Sequence, residues 1–250
     1  AQTMLAFLSG FSVEFPEVAS AQKVPPPKAD LRIPPFGVSN IFSHGWFSSV
    51  TGHGSSDLLQ KTVAQMKAKG ILSPENKTAP ERGIFESDTG ELLMDCGGKQ
   101  LLVTTPRTEA AAVASGERVA LKTVSALQSS VPSCIALSSV DNRPLSSSSR
   151  MVLVYQTEEA NSGMVLGGDR ATLHALGARP ILCRTGKMSL SAKLKPANWR
   201  LFALGLDGSR REELPVESRN GILSLTIDTA SLKSGPTVFF ELVETKGENR

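Results

Sequence analysis

Two of the three histidines in this 250-residue chain lie close together, His44 in Phe42-Ser43-His44-Gly45-Trp46 and His53 in Gly52-His53-Gly54-Ser55-Ser56. A serine hydrolase needs a Gly-x-Ser-x-Gly elbow between a strand and a helix, and the second segment departs from that pattern. A helical metal site needs two histidines at i and i+4 with an acidic partner, which this spacing does not supply. The plain reading is a glycine-rich loop whose imidazoles bond to backbone. Trp46 beside His44 adds a small stacking surface, so His44, Trp46 and His53 are the ligand-binding candidates. No metal or cofactor is expected. Glycoside hydrolysis uses two carboxylates flanking one bond. The adjacent pairs here, Glu158-Glu159 and Glu212-Glu213, would point to opposite faces of a strand and belong to solvated strand ends. No catalytic residue is assigned, and whether the chain is an enzyme stays open. Gly167-Gly168-Asp169 could cradle a phosphate only ahead of a helix, and the residues after it read as a strand. Asn76-Lys77-Thr78 fits a glycosylation sequon, which has meaning in a secreted eukaryotic protein.

The elements that would position these residues change character along the chain. Met4, Leu5, Leu8 and Phe11 recur near helical spacing, so residues 1–22 read as a short helix. No basic segment precedes it and Glu14 and Glu17 interrupt it, which argues against a signal peptide. Residues 23–56 contain Pro25-Pro26-Pro27 and Pro34-Pro35, the composition of an extended linker or surface strap. Asp57 then starts a helix, with Gln60 completing a capping box and Leu59, Val63 and Met66 sharing a face; Gly70 stops it, with Pro74 beyond. From residue 83 the period changes to two. Met188, Leu190, Ala192 and Leu194 alternate with polar residues, as do Leu223, Leu225 and Ile227, the signature of half-buried strands. Asp207-Gly208 and Asn220-Gly221 are hairpin signals between such runs. The expected fold is mainly β: an antiparallel β-sandwich over 83–250 carrying a short, mostly helical, proline-rich amino-terminal extension over 1–82.

Composition narrows the function classes. Hydrophobic residues make up 40% and charged residues 20%, as in globular proteins. The 27 basic residues are spread among 24 acidic ones for a net charge of +3, which is not the concentrated basic footprint of a nucleic-acid binder. No apolar run is long enough for a membrane-spanning helix. Aromatics at 5% leave no broad aromatic platform for sugars. Cys96, Cys134 and Cys183 are far apart and odd in number. They read as dispersed small core residues, with one disulfide plus a free thiol as the alternative.

The β region also resembles a known family. The likeness is carried by Phe85-Glu86-Ser87-Asp88-Thr89-Gly90-Glu91-Leu92, Thr104-Thr105-Pro106-Arg107-Thr108-Glu109, and Val140-Asp141-Asn142-Arg143-Pro144-Leu145. It continues through Ser149-Arg150-Met151-Val152-Leu153-Val154, Asn161-Ser162-Gly163-Met164, Leu204 to Arg210, and Thr237 to Leu242. In their order these segments resemble the carboxy-terminal β-sandwich region of bacterial glycoside hydrolases with a TIM-barrel catalytic module upstream. The resemblance implies a carbohydrate-active protein whose visible chain is the non-catalytic sandwich, scaffolding the barrel or contributing to substrate binding. Its implied partners are a polysaccharide or oligosaccharide and an upstream barrel, with 1–82 as a possible remnant of the catalytic domain. The implied location is secreted or periplasmic. A stand-alone secreted carbohydrate-binding or adhesion module without hydrolytic ancestry is the alternative expectation.

Overall fold

A computed structural model describes residues 40–43, 46–49, 56–168 and 172–245. The helix expected within 1–22 and the proline runs after it lie outside the described residues, as do His44 and His53. The chain divides into two compact units between Leu101 and Leu102.

The first unit is built from short pieces. β1 (Asn40–Ser43) pairs antiparallel with β2 (Trp46–Ser49) through Ser43 opposite Trp46. Helix α1 (Ser56–Ala68) covers the stretch that the sequence marks as helical, beginning one residue before Asp57. Gly70 ends it at φ 72°, with the amide of Ile71 returning to the carbonyl of Met66 at 2.9 Å. This is the left-handed stop that only glycine adopts without strain. Val63 and Met66 are buried on one face of α1. A 3-10 turn (Pro80–Arg82) leads into the hairpin of β3 (Ile84–Glu86) and β4 (Leu92–Asp95), which buries Phe85 and Met94. β5 (Gln100–Thr104) carries the chain into the second unit.

The second unit is mainly β, with antiparallel sheets. Its strands are β6 (Thr108–Val113), β7 (Arg118–Val119), β8 (Val124–Ser129), β9 (Ser133–Ser139), β10 (Arg150–Gln156), β11 (Glu159–Ser162), β12 (Val165–Leu166) and β13 (Leu173–Ala175). They continue as β14 (Ala178–Cys183), β15 (Lys187–Lys193), β16 (Asn198–Leu204), β17 (Arg210–Leu214), β18 (Val216–Arg219), β19 (Ile222–Asp228) and β20 (Phe239–Thr245). Within this unit the larger sheet runs β17-β16-β20-β10-β9-β6, and the smaller runs β18-β19-β15-β8-β7. Side chains alternate along each strand, so one residue in two turns inward. Ile135, Leu137, Met151, Leu153, Leu201, Phe240 and Leu242 of the larger sheet join Leu127, Met188, Leu190, Leu223, Leu225 and Ile227 of the smaller in one hydrophobic core. The alternation seen in β15 and β19 therefore sorts core from surface as expected. Both hairpin signals hold: Asn220 and Gly221, at φ 52° and 74°, join β18 to β19, and Asp207-Gly208 sits in the turn between β16 and β17.

Two features depart from expectation. The cysteines are not core residues: Cys134 and Cys183 are exposed, Cys96 is half-buried, and all three are free thiols. Cys134 falls between buried Ser133 and buried Ile135 on β9, so period two places it outside. The segment between β10 and β15 forms an arm of two narrow ribbons, β11 with β14 and β12 with β13. Every residue of β13 and β14 is exposed, including Leu173, Ile181 and Leu182.

Candidate functional site

Buried Glu109 and Glu86 and half-buried Asp141 lie inside hydrogen-bond networks that hold the fold. Glu109, 2% exposed, accepts the amide of Thr123 at 2.7 Å and that of Val124 at 2.8 Å. It ties β6 of the larger sheet to the start of β8 in the smaller. Glu86 accepts the amide of Lys77 at 2.6 Å, while its own amide donates to Thr78 Oγ1 at 3.0 Å. Asp141 organises the loop that comes after β9. Its Oδ1 accepts the hydroxyls of Ser139 and Ser148, each at 2.9 Å, and its Oδ2 accepts the amide of Ser149 at 2.7 Å and its hydroxyl at 2.9 Å. Desolvation pushes the Asp141 carboxyl upward, but these donors outweigh it and hold the group well below the usual carboxylate range. The Val140–Leu145 motif and the serines after it are thus a self-bonded loop.

Neither adjacent glutamate pair flanks a cleft. Glu158 faces Arg184 at 3.5 Å, whereas Glu159 accepts Cys183 Sγ at 3.3 Å. Glu213 pairs with Arg200, while Glu212 accepts the amide of Ser234 at 3.0 Å. Glu212 and Glu213 are neighbours on β17 and point opposite ways, as expected, whereas Glu158 lies just ahead of β11 and outside the strand. The sequon is also structural. Asn76 and Thr78 are 6% and 8% exposed. Asn76 Nδ2 donates to the carbonyl of Ser87 at 2.9 Å, and its Oδ1 accepts the amide of Thr78 at 3.0 Å. In the folded protein that amide is not open to a glycan.

Among the described residues, the outer face of the smaller sheet is open to a ligand. Cross-strand pairing sets Arg118 opposite Gln128, Gln128 opposite Ser189, and Ser189 opposite Thr226. One rung of four exposed polar side chains therefore crosses β7, β8, β15 and β19. A second rung runs Ala126, Ser191, Ser224, Glu217, with the hydroxyls of Ser191 and Ser224 3.2 Å apart. Two adjoining hollows open along these rungs. One, of about 270 Å³, is lined by Gly116, Gln128, Ser130, Lys187, Ser189 and Thr226 among others. The other, of about 410 Å³, shares Ser189 and Thr226 and extends past Ser191, Ser224 and Glu217 to Pro215 and Val216.

The frame beneath the first hollow is tied by backbone and buried hydroxyls. The amide of Gly116 donates to the carbonyl of Ser129, and that of Ser130 to the carbonyl of Lys187, each at 2.8 Å. Gln128 Nε2 donates to the carbonyl of Gly116 at 2.9 Å. Below it, Ser129 Oγ and Tyr155 Oη lie 2.9 Å apart in the core. Desolvation is the main cause raising the Tyr155 phenol, so it stays protonated and is a donor or acceptor at neutral pH.

The sequence-derived site residues are not placed by the described structure. His44 and His53 lie outside the described residues, and Trp46 begins β2, of whose side chains nothing is described. The rung residues left a weak mark in the sequence: Ser189 and Ser191 are the polar half of an alternation whose apolar half gives the core. Only pairing across strands distant in the chain reveals that they line up with Gln128 and Thr226. Among the described residues no three His, Cys, Asp or Glu side chains converge as a metal site, and no helix is long and apolar enough to cross a membrane. No protein-family model, curated protein or solved structure matches the chain.

Proposed function

We propose that this chain is the non-catalytic β-sandwich region of a carbohydrate-active protein, a carboxy-terminal part of a glycoside hydrolase, and that the smaller sheet offers its glycan-binding face. The observation that carries the reading is the pair of in-register polar rungs opening onto adjoining hollows. Serine and threonine hydroxyls and the glutamine amide each donate and accept, as the hydroxyls of a sugar do. A rigid row of them can exchange water for a polyol at little reorganisation cost. With aromatics at 5% of the chain, affinity rests on hydrogen bonds and not on stacking. The non-catalytic part of the reading is supported by the carboxylates, which hold loops, strands and arginines in place.

Affinity electrophoresis of the 250-residue chain against a panel of soluble polysaccharides tests this. Retardation by at least one glycan, lost in the Ser189→Val, Thr226→Val double variant with an unchanged melting curve, is the expected result. No retardation across the panel overturns the binding face. Release of reducing sugar by the purified chain overturns the non-catalytic assignment.

A further inference from the structure

The two hollows share Ser189 and Thr226 and make one trough that runs across the strands. Its first stretch is lined by Gln128 of β8, Ser189 of β15 and Thr226 of β19. The second continues past Ser224 to Glu217 of β18. A ligand lying along it passes from β8 to β15 to β19 to β18, each strand hydrogen-bonded to the next. The polar groups keep register on the way: Gln128 opposite Ser189, Ser189 opposite Thr226, and Ser224 opposite Glu217. Paired strands lie about 4.8 Å apart, so the row offers a new hydrogen-bonding group at about that interval over roughly 14 Å. Buried Leu127, Leu190 and Leu225 anchor the strands beneath, which keeps the interval fixed. Charge makes no choice on this face. Lys187 and Asp228 stand opposite one another on one flank, and Lys193 and Arg219 stand beside Glu217 on the other. The hydroxyls between the flanks are neutral.

A straight row at a fixed interval selects a straight ligand with the same repeat. In a β-1,4-linked chain of glucose, mannose or xylose both linkages of each ring are equatorial. Such a chain stays extended and advances by ~5 Å per sugar, close to the spacing of paired strands. In an α-1,4-linked chain the axial linkage winds the chain into a helix, and its hydroxyls leave a straight row after one or two sugars. We infer that the trough holds a neutral, extended β-1,4-linked glycan lying across the strands, with about one sugar on each of β8, β15, β19 and β18. Each sugar then exchanges hydrogen bonds with the side chain beneath it, Glu217 accepting from the hydroxyls of the last. Resting on the reading of this face as glycan-binding, the inference adds the linkage and the length of the chain bound.

The test runs the whole chain in gels that each hold one polysaccharide: glucomannan, arabinoxylan or hydroxyethylcellulose as β-1,4 chains, and glycogen or pullulan as α-linked ones. Retardation by at least one β-1,4 chain and by neither α-linked one is the expected result. Titration calorimetry then follows oligosaccharides of the retarding glycan, from two sugars to six. Affinity should climb roughly tenfold between two and four sugars, the scale of one or two hydrogen bonds, and stay level beyond. Ser189→Ala, at the middle of the row, should lower the affinity for the four-sugar ligand about tenfold with the melting curve unchanged. Retardation by the α-linked glycans, alone or as strong, overturns the linkage and leaves the glycan-binding face standing. So does retardation by some other polysaccharide but by none of the three β-1,4 chains. Affinity already complete at two sugars, or still climbing at six, overturns the match of sugars to strands, as does a four-sugar ligand indifferent to Ser189→Ala. If no glycan binds at all, both readings fall together.

Discussion

The outer faces of the two sheets carry similar raw material and use it in opposite ways. On the larger sheet Glu241 sits between the core residues Phe240 and Leu242, so it points away from the core, yet its side chain is only 3% exposed. Arg150 Nε reaches it at 2.6 Å from β10 and Arg210 Nε at 2.5 Å from β17. Phe202 carries the guanidiniums of Arg200 and Arg210 against its ring, 4.8 and 4.6 Å from the centroid, and Arg200 pairs onward with Glu213. The charges there close on one another and cover the ring between them. On the smaller sheet the hydroxyls are in register, and the charged side chains around them, Arg118, Lys187, Lys193, Glu217 and Arg219, form no ion pair among the described residues. A face whose charges are mutually satisfied is architecture. A face that leaves them without ion pairs beside a preformed row of hydroxyls is available for recognition.

The sharpest way to break this contrast is Glu241→Gln, which leaves two arginines facing a neutral amide at a buried position. It should cost about 2–3 kcal/mol in urea unfolding, less than the ~3–5 kcal/mol of a fully buried broken pair because both arginines are partly solvated. A cost below ~0.5 kcal/mol would make the larger face as dispensable as the smaller. The same group gives a pH signature. Desolvation raises the Glu241 carboxyl, but the hydrogen bonds and charges of Arg210 and Arg150 prevail and hold it below the usual range. Its folded pKa is depressed, so its contribution is complete above the unfolded value of about 4.3 and drains away as pH falls through the folded one. The acid limb of stability below about pH 4 should therefore be shallower in Glu241→Gln than in the unaltered chain.

A smaller effect lies between the two faces. Tyr155→Phe removes the bond to Ser129 in the floor of the smaller hollow while Ser129 Oγ keeps the carbonyl of Val131 at 2.8 Å. About 1 kcal/mol should be lost in thermal unfolding. A loss above ~3 kcal/mol would show that the phenol supports more than its one bond. Least of all, Ser189→Ala and Thr226→Val should leave stability within about 0.5 kcal/mol, as exposed substitutions do. A large loss at either position would put the smaller face in the same structural category as the larger.

How far the sequence reveals this depends on whether one strand suffices to show it. The inward residues of β15 and β19 are legible because burial tracks alternation within each strand, and the Asn220-Gly221 turn because its two positive φ angles are a local demand. The arm of β11 to β14 is not legible in that way: with both sides solvated, no alternation is imposed on it. The sequon misleads, and the role of Glu109 goes unseen, for a related reason. Asn76 is buried by contacts with Ser87, and Glu109 by Thr123 and Val124, partners that only the folded chain brings near. Residue type alone puts Cys134 in the core, whereas its place in the strand turns it outward. The polar face is the extreme case. Arg118, Gln128, Ser189 and Thr226 come from four strands, and no short window of the chain contains them together.

The position of β20 has a consequence for how the molecule is made. It is the last strand described, yet it lies inside the larger sheet, bonded to β10 on one side and β16 on the other. During synthesis the earlier strands emerge with a gap where Phe239–Thr245 belong, and Leu153 and Leu201 on either side wait for Phe240 and Leu242. The larger sheet cannot close until the ribosome has released this segment. For that interval the nascent chain presents two unpaired strand edges beside apolar residues, the condition in which a chaperone or a neighbouring nascent chain has most to bind.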